Sequence, residues 1–335
     1  MNPLQTIRII ERIGSAAPRF GQGYSGPLSE VDYLKFRRDY YWNKVKTNSI
    51  KIGGIMAEYA HPESIVTTDW VSEHGSDSNV RLVEVDVDTA AYDAGHIAGA
   101  VGWNWKSELQ QTLSRDLVSK EGMEQLLGSA GIGNGTTVVL YGDNNNWFAA
   151  WAFWQMKYYG HDDVKLMNGG RAKWEAEGKP LTTDAANHGS KPYTAKAANE
   201  DIRAYRDQVL SKVNASSISL VDVRAPAEYS GELLAPEALP QEGAQRGGHI
   251  PSAANVPWGQ AVAEDGTFKS ADDLQALYGG KGIDGSKETI AYCRIGERSS
   301  HTWFVLTQLL GHTNVRNYDG SWTEWGSIVG APIER

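Results

Sequence analysis

The chain has 335 residues, 41% of them hydrophobic, with 12 Trp and 15 Tyr, which excludes disordered and fibrous classes and suffices for two domains that each bury a core. Its net charge of −9 argues against general nucleic-acid binding, and no run of about 18 apolar residues is present to span a membrane. A single cysteine, Cys293, rules out an internal disulfide.

Residues 1–55 stand apart, with nine Lys/Arg against four Asp/Glu. A capping-like Ser29–Asp32 and a stripe of Val31, Leu34, Tyr41, Trp42 and Val45 predict a helix there. Residues 1–61 are read as an N-terminal extension, disordered or foreign to the native protein with Met56 as the true start; a regulatory or surface-binding arm is the other reading. The opening MNPLQTIRIIERIG lacks the apolar core and cleavage pattern of a signal peptide. A cytoplasmic location is expected, where a reactive thiol stays reduced.

From residue 62 onward strand and helix signals alternate. Val80–Asp86 reads as a strand, Glu121–Ser129 as a helix, Thr136–Tyr141 as a buried strand, and Val164–Met167 as a third strand after a further helix. The second half repeats this with Ile218–Val223, Asp272–Tyr278, Glu288–Tyr292 and Val315–Tyr318. Trp147, Trp151 and Trp154, at helical spacing, are expected to pack in the core or between the halves. The alternation predicts an α/β fold with parallel sheets covered on both faces and chemistry at the carboxyl ends of strands. With an offset of 151 residues Tyr141 matches Tyr292, Gly160-His161 matches Gly311-His312, Gly169 matches Gly320 and Trp174 matches Trp325. Both halves carry a Gly-His-Ile segment, GHIAGA from Gly95 and GHIPSA from Gly248. The chain is therefore read as two copies of one domain, residues 62–181 and 201–335, joined by a polar linker, residues 182–200. His96, His249, His161 and His312 recur in both copies and are expected to be structural.

Cys293 sits at a predicted strand end, before the polar loop RIGERSS and a helix expected to begin near Ser299. A free thiol has a pKa of about 8.5, so it needs help to be nucleophilic at neutral pH. Three features are expected to lower it: the positive end of the helix, the guanidiniums of Arg294 and Arg298, and inward-pointing amides around Gly296. Glu297 opposes them and is expected to turn outward. Under the offset the first copy has Gly142 in place of Cys293 and Asp143 in place of Arg294, so its role is expected to be structural.

These residues resemble the two-domain rhodaneses, the thiosulfate sulfurtransferases, over roughly 62–335. The motifs that carry the resemblance are the strand-Cys-loop-helix, the DVR and GHIPSA segments, DGSW at Asp319–Trp322, and the degenerate first copy. The form CRIGERSSHTWFVL is similar to that of the actinobacterial enzymes. The resemblance implies two tandem rhodanese-like domains, each a parallel sheet flanked by helices, and a persulfide carried on Cys293. It further implies that the Cys293–Arg298 loop, with Arg294, Ile295, Gly296 and Glu297, cradles that persulfide, that Arg298 contacts the substrate, and that Asp319 lies near the site. From its place where the helix begins, Arg298 is expected to reach the donor with a bidentate fork, while Arg294 mainly supplies field. Asp222 and Arg224 either orient the loop or form a plain structural pair. The chain departs from vertebrate thiosulfate enzymes at Ile295, where they have lysine, and at Glu228, where they have arginine. The implied partners are a small anionic sulfur donor and a cyanide, low-molecular-weight thiol or protein thiol acceptor, with neither nucleic acid nor membrane. No cofactor is expected, since nucleotide-loop motifs and metal-ligand spacings are absent from the sequence. Alternatives are a 3-mercaptopyruvate sulfurtransferase, a cysteine phosphatase, whose loop would have five rather than four residues between Cys and Arg, and a non-catalytic rhodanese-like binding module.

Overall fold

The computed structural model describes residues 58–235 and 243–335; the predicted N-terminal helix and Met56 lie outside the described residues. In the first half, β1 (Ile65–Val66), α1 (Thr68–His74), β2 (Val80–Glu84), α2 (Ala91–Ala94) and β3 (Val101–Gly102) are followed by α3 (Lys120–Ser129), β4 (Thr137–Tyr141), α4 (Trp147–Tyr158), β5 (Val164–Met167) and α5 (Gly170–Ala176). The strands form one parallel sheet in the order β1-β5-β4-β2-β3. In the second half come α6 (Arg206–Lys212), β6 (Ile218–Asp222), α7 (Pro226–Ser230), β7 (Ala254–Asn255), α8 (Ala271–Gly279), β8 (Glu288–Tyr292), α9 (Glu297–Phe304), β9 (Val315–Tyr318) and α10 (Ser321–Trp325). Its parallel sheet runs β7-β6-β8-β9.

The long strands fall where the apolar runs predict them. The two-residue strands β1, β3 and β7 were not predicted, because so short a pairing has no periodicity of its own and exists only through its neighbour. Central β4 is buried along its whole length, as helices on both faces require. Tyr141 and Tyr292 end equivalent strands, and the hydroxyl of each accepts the amide of the Gly-His-Ile isoleucine, Ile97 or Ile250, at 3.0 Å. His96 and His249 are likewise matched: each has Nδ1 about 3 Å from the carbonyl of a tyrosine, Tyr92 or Tyr229, on which its ring stacks.

One apolar core runs through both halves. Helix α4 is buried almost all round, including Trp151 and Trp154, which a helix on a single solvent-facing surface would not be. It lies against α9; Phe153 meets Phe304 edge to face at 4.9 Å, and Trp147 meets Trp258 at 5.4 Å. Residues 183–199 contain no helix or strand, but they are tied to the first half: the amides of Lys191 and Lys196 donate to Gly128 and Tyr159 carbonyls, and Tyr193 is buried.

Candidate active site

The loop after β8 is held by α10. The amide of Cys293 donates to Ser321 Oγ at 3.0 Å, the amide of Trp322 donates to the Cys293 carbonyl at 3.1 Å, and the amide of Thr323 donates to the Arg294 carbonyl at 3.0 Å. Gly296 then turns the chain with φ +103°, where a Cβ would come within 2.8 Å of Asp319. Its carbonyl accepts from Asn317 Nδ2, Ser299 Oγ and Ser300 Oγ, which clamps the turn from three sides.

Helix α9 begins at Glu297, not near Ser299. This difference changes the site. A helical side chain tilts toward the helix N-terminus, so Glu297 points back at the sulfur instead of outward. Glu297 is fully buried; its Oε2 accepts from Cys293 Sγ at 3.1 Å and from the Ile295 amide at 3.2 Å. The Gly296 amide donates to Sγ at 3.1 Å. The thiol itself has 0% exposure, so a donor reaches it only after a neighbouring side chain moves.

The expected depression of the thiol pKa is not what the site produces. Burial pushes Cys293 up, the Glu297 charge pushes it further, and Arg298 and Ser299 only partly offset both. Nor is the fork of Arg298 open to a donor. Its two terminal nitrogens donate to Glu228 at 2.8 and 3.0 Å, and its face lies 5.8 Å from the Trp147 ring. Glu228, the departure noted in the sequence, is the partner of that arginine; although burial opposes it, Arg298 holds the carboxyl below its ordinary value. Arg294 is buried too, its Nη2 3.9 Å from Glu297 Oε1. Two guanidiniums are thus matched by two carboxylates, and the loop carries little net charge.

The other predicted residues divide. Asp222 and Arg224 form a completely buried pair, with Arg224 also donating to the Gly248 carbonyl, stacked 4.5 Å from Trp322 and 5.9 Å from the ring of Tyr292, the residue before Cys293. Asp319 lies beside Gly296 and is gripped by Arg203 at 2.8 and 2.9 Å. Burial raises its pKa against the pull of Arg203. Ile295, Asp319 and Thr323 line a cleft of about 560 Å³ closed on the other side by Trp151 and Leu117 of the first half. Ser321, Asn317 and Arg203 were missed from the sequence. The DGSW motif held the only signal for Ser321, and nothing local marks the other two.

The family model for the rhodanese-like domain matches residues 67–177 and 205–328. The chain belongs to the rhodanese family. A protein of Saccharopolyspora erythraea named "Putative thiosulfate sulfurtransferase" is 58% identical over 272 residues, covering 81% of this chain and 96% of the relative. "Sulfur carrier protein TtuD" of Thermus thermophilus is 55% identical over 280 residues, covering 83% and 98%. Among solved structures, SseA of Escherichia coli, described as a 3-mercaptopyruvate sulfotransferase, superposes with a TM-score of 0.68 at 26% identity, covering 77% of this chain and 98% of its own. An anaerobic ergothioneine biosynthesis enzyme of Chlorobium limicola superposes with a TM-score of 0.70 at 25% identity, covering 84% and 72%. No helix among the described residues is long and apolar enough to cross a membrane.

Proposed function

We propose that this protein is a sulfurtransferase in which Cys293 accepts the sulfane sulfur of thiosulfate, releases sulfite, and passes the sulfur from a persulfide to cyanide or to a thiol. The observation that carries the reading is the seat of the sulfur: Sγ lies at a strand end and a helix start, 3.1 Å from the Gly296 amide, beside a cleft between the two halves. The names of the close relatives support the same chemistry. In this reading residues 201–335 carry the reaction and residues 62–181 wall the cleft. Gly296 presents its amide to the sulfur, while the Ile295 amide holds Glu297 beside it. Arg298 works through Glu228, as a positioning residue rather than a direct clamp on the donor. With no second cysteine in the chain, the acceptor is external, and a reduced cytoplasm suits a persulfide carrier.

The near-neutral loop favours one second reading, 3-mercaptopyruvate as donor, because a compact dianion gains less there than two open guanidiniums would offer. One pair of measurements tests the function and separates the donors. After thiosulfate treatment the intact mass should rise by about 32 Da, one sulfur, and fall back with cyanide, with no change in Cys293→Ala. A protein that turns thiosulfate over without that adduct overturns the persulfide. A kcat/KM tenfold or more in favour of 3-mercaptopyruvate reassigns the donor.

A further inference from the structure

The contact between Cys293 and Glu297 gives the reaction something a buried thiol otherwise lacks, a place for its proton. Sγ has no exposed surface, so in the closed site its proton has no direct path to bulk water. The thiol donates to Glu297 Oε2, 3.1 Å away and itself fully enclosed. That oxygen also accepts the Ile295 amide, which fixes it toward the sulfur, while Oε1 lies 3.6 Å from Arg298 Nε and 3.9 Å from Arg294 Nη2. Those two guanidiniums, with Glu228 across Arg298, are the charged groups that face it; Trp147 of α4, on the far side of Arg298, brings none. The carboxylate therefore has one oxygen on the nucleophile and the other toward positive charge. This is the arrangement of a base, since reach to the proton comes first and tuning second.

Resting on the sulfurtransferase reading, we infer that Glu297 is the general base of the reaction, holding the Cys293 proton through the persulfide stage and returning it when the sulfur leaves. In the first half-reaction the Sγ–H proton moves to Oε2 as Sγ bonds the outer sulfur of thiosulfate and the S–S bond to sulfite breaks, both electrons leaving with sulfite. The products are the persulfide anion, neutral Glu297 and sulfite, with charge and protons conserved. In the second, cyanide bonds the outer sulfur, the persulfide bond breaks toward Sγ, and Glu297 gives the proton back to Sγ, leaving thiocyanate. The loop never carries two adjacent anions of its own, because a negative Glu297 always faces a protonated sulfur. The raised thiol pKa is then no obstacle: the resting site is the thiol form, and ionisation is coupled to attack.

The test is single-turnover sulfur loading, followed by intact mass as a function of pH, in the wild type, Glu297→Gln and Glu297→Asp. Loading without an acceptor leaves cyanide's own ionisation out of the profile. In the wild type the rate should be flat across neutrality. Glu297→Gln keeps the shape and cannot take a proton, so its loading at pH 7 should fall by at least about 100-fold, and its rate should climb about tenfold per pH unit as free thiolate appears. Glu297→Asp should recover part of the flat profile. The thiolate's ultraviolet absorbance supplies the control: without the neighbouring negative charge the thiol of Glu297→Gln should ionise at lower pH than the wild type, so slower loading could not be blamed on a less acidic sulfur. Wild-type loading rates in Glu297→Gln, with a flat profile, overturn the base. No sulfur on wild-type protein overturns the sulfurtransferase reading instead, so the two failures are distinct.

Discussion

The loop after β4 and the loop after β8 share a backbone plan and differ in almost every polar group. After β4 the Gly142 amide donates to Asn146 Oδ1 at 3.0 Å, and Asp143 accepts the Val87 and Asp88 amides. After β8 the Cys293 amide goes to Ser321, and the sulfur occupies the space between the Gly296 amide and Glu297. The left-handed turn is built from three asparagines in one loop and from Gly296 in the other. The strand carboxylates are also paired from different places. Glu84 is met by Arg171 of α5, whereas Asp222 is met by Arg224 of its own strand end, and Trp322 stands where the offset puts Arg171. A strand-loop-helix frame can therefore close on its own amides or stay open around a side chain. The polar residues around it decide which.

The comparison breaks most sharply at Arg298, because the first half has Trp147 at that position and no buried ion pair there. Glu228→Gln leaves the Arg298 guanidinium enclosed without its charge partner and should cost about 3–5 kcal/mol in denaturant unfolding at pH 7. Because the folded carboxyl lies below its ordinary 4.5, the stability it supplies is present above that value and lost as the pH falls below it; the gap between variant and wild type should close on the acid side. An unchanged unfolding midpoint at pH 7 would show that the pair contributes nothing. Restoring a thiol to the first half is the next test. A Cβ at Gly142 would lie 2.1 Å from the Val85 carbonyl oxygen, so Gly142→Cys should destabilise by about 1–3 kcal/mol and, in a Cys293→Ala background, take up no sulfur by mass. Sulfur uptake there would mean that a thiol alone makes the site. The smallest effect is expected at Asp86, which faces Glu84 and Asp143 and is pushed up to about 9, by burial first and by those two charges second. The folded state keeps a proton that the unfolded chain releases above 3.8, so stability present below that pH is lost as the pH rises toward about 9. Asp86→Asn removes that titration and should raise the melting temperature by more at pH 8 than at pH 5. Equal gains at both pH values would remove the titration as the cause.

The error at Glu297 shows what local pattern reading lacks. Capping residues and apolar periodicity place a helix end only to within a residue or two, and here two residues separate a carboxylate in solvent from one on the sulfur. The pKa expectation failed with it. Positive charge near Cys293 was legible, but a count of charges says nothing about whether Arg298 already has Glu228 in its fork or whether the thiol has lost its water.

What the sequence by itself determined was the repeat, the long parallel strands, the position of Cys293 at a strand end, and a first half without a thiol. These depend on side-chain type and spacing along the chain, through the alternation of strand and helix periods and the preference of Gly and Asn for left-handed turns. What only the tertiary structure decided was the electrostatics around the sulfur. Glu228 is 70 residues from Arg298 and Ser321 is 28 from Cys293, so neither pairing leaves a local signature. Both arise when β6, β8 and β9 align side by side and α4 closes over α9, removing water, so that each buried charge must find a partner from another element.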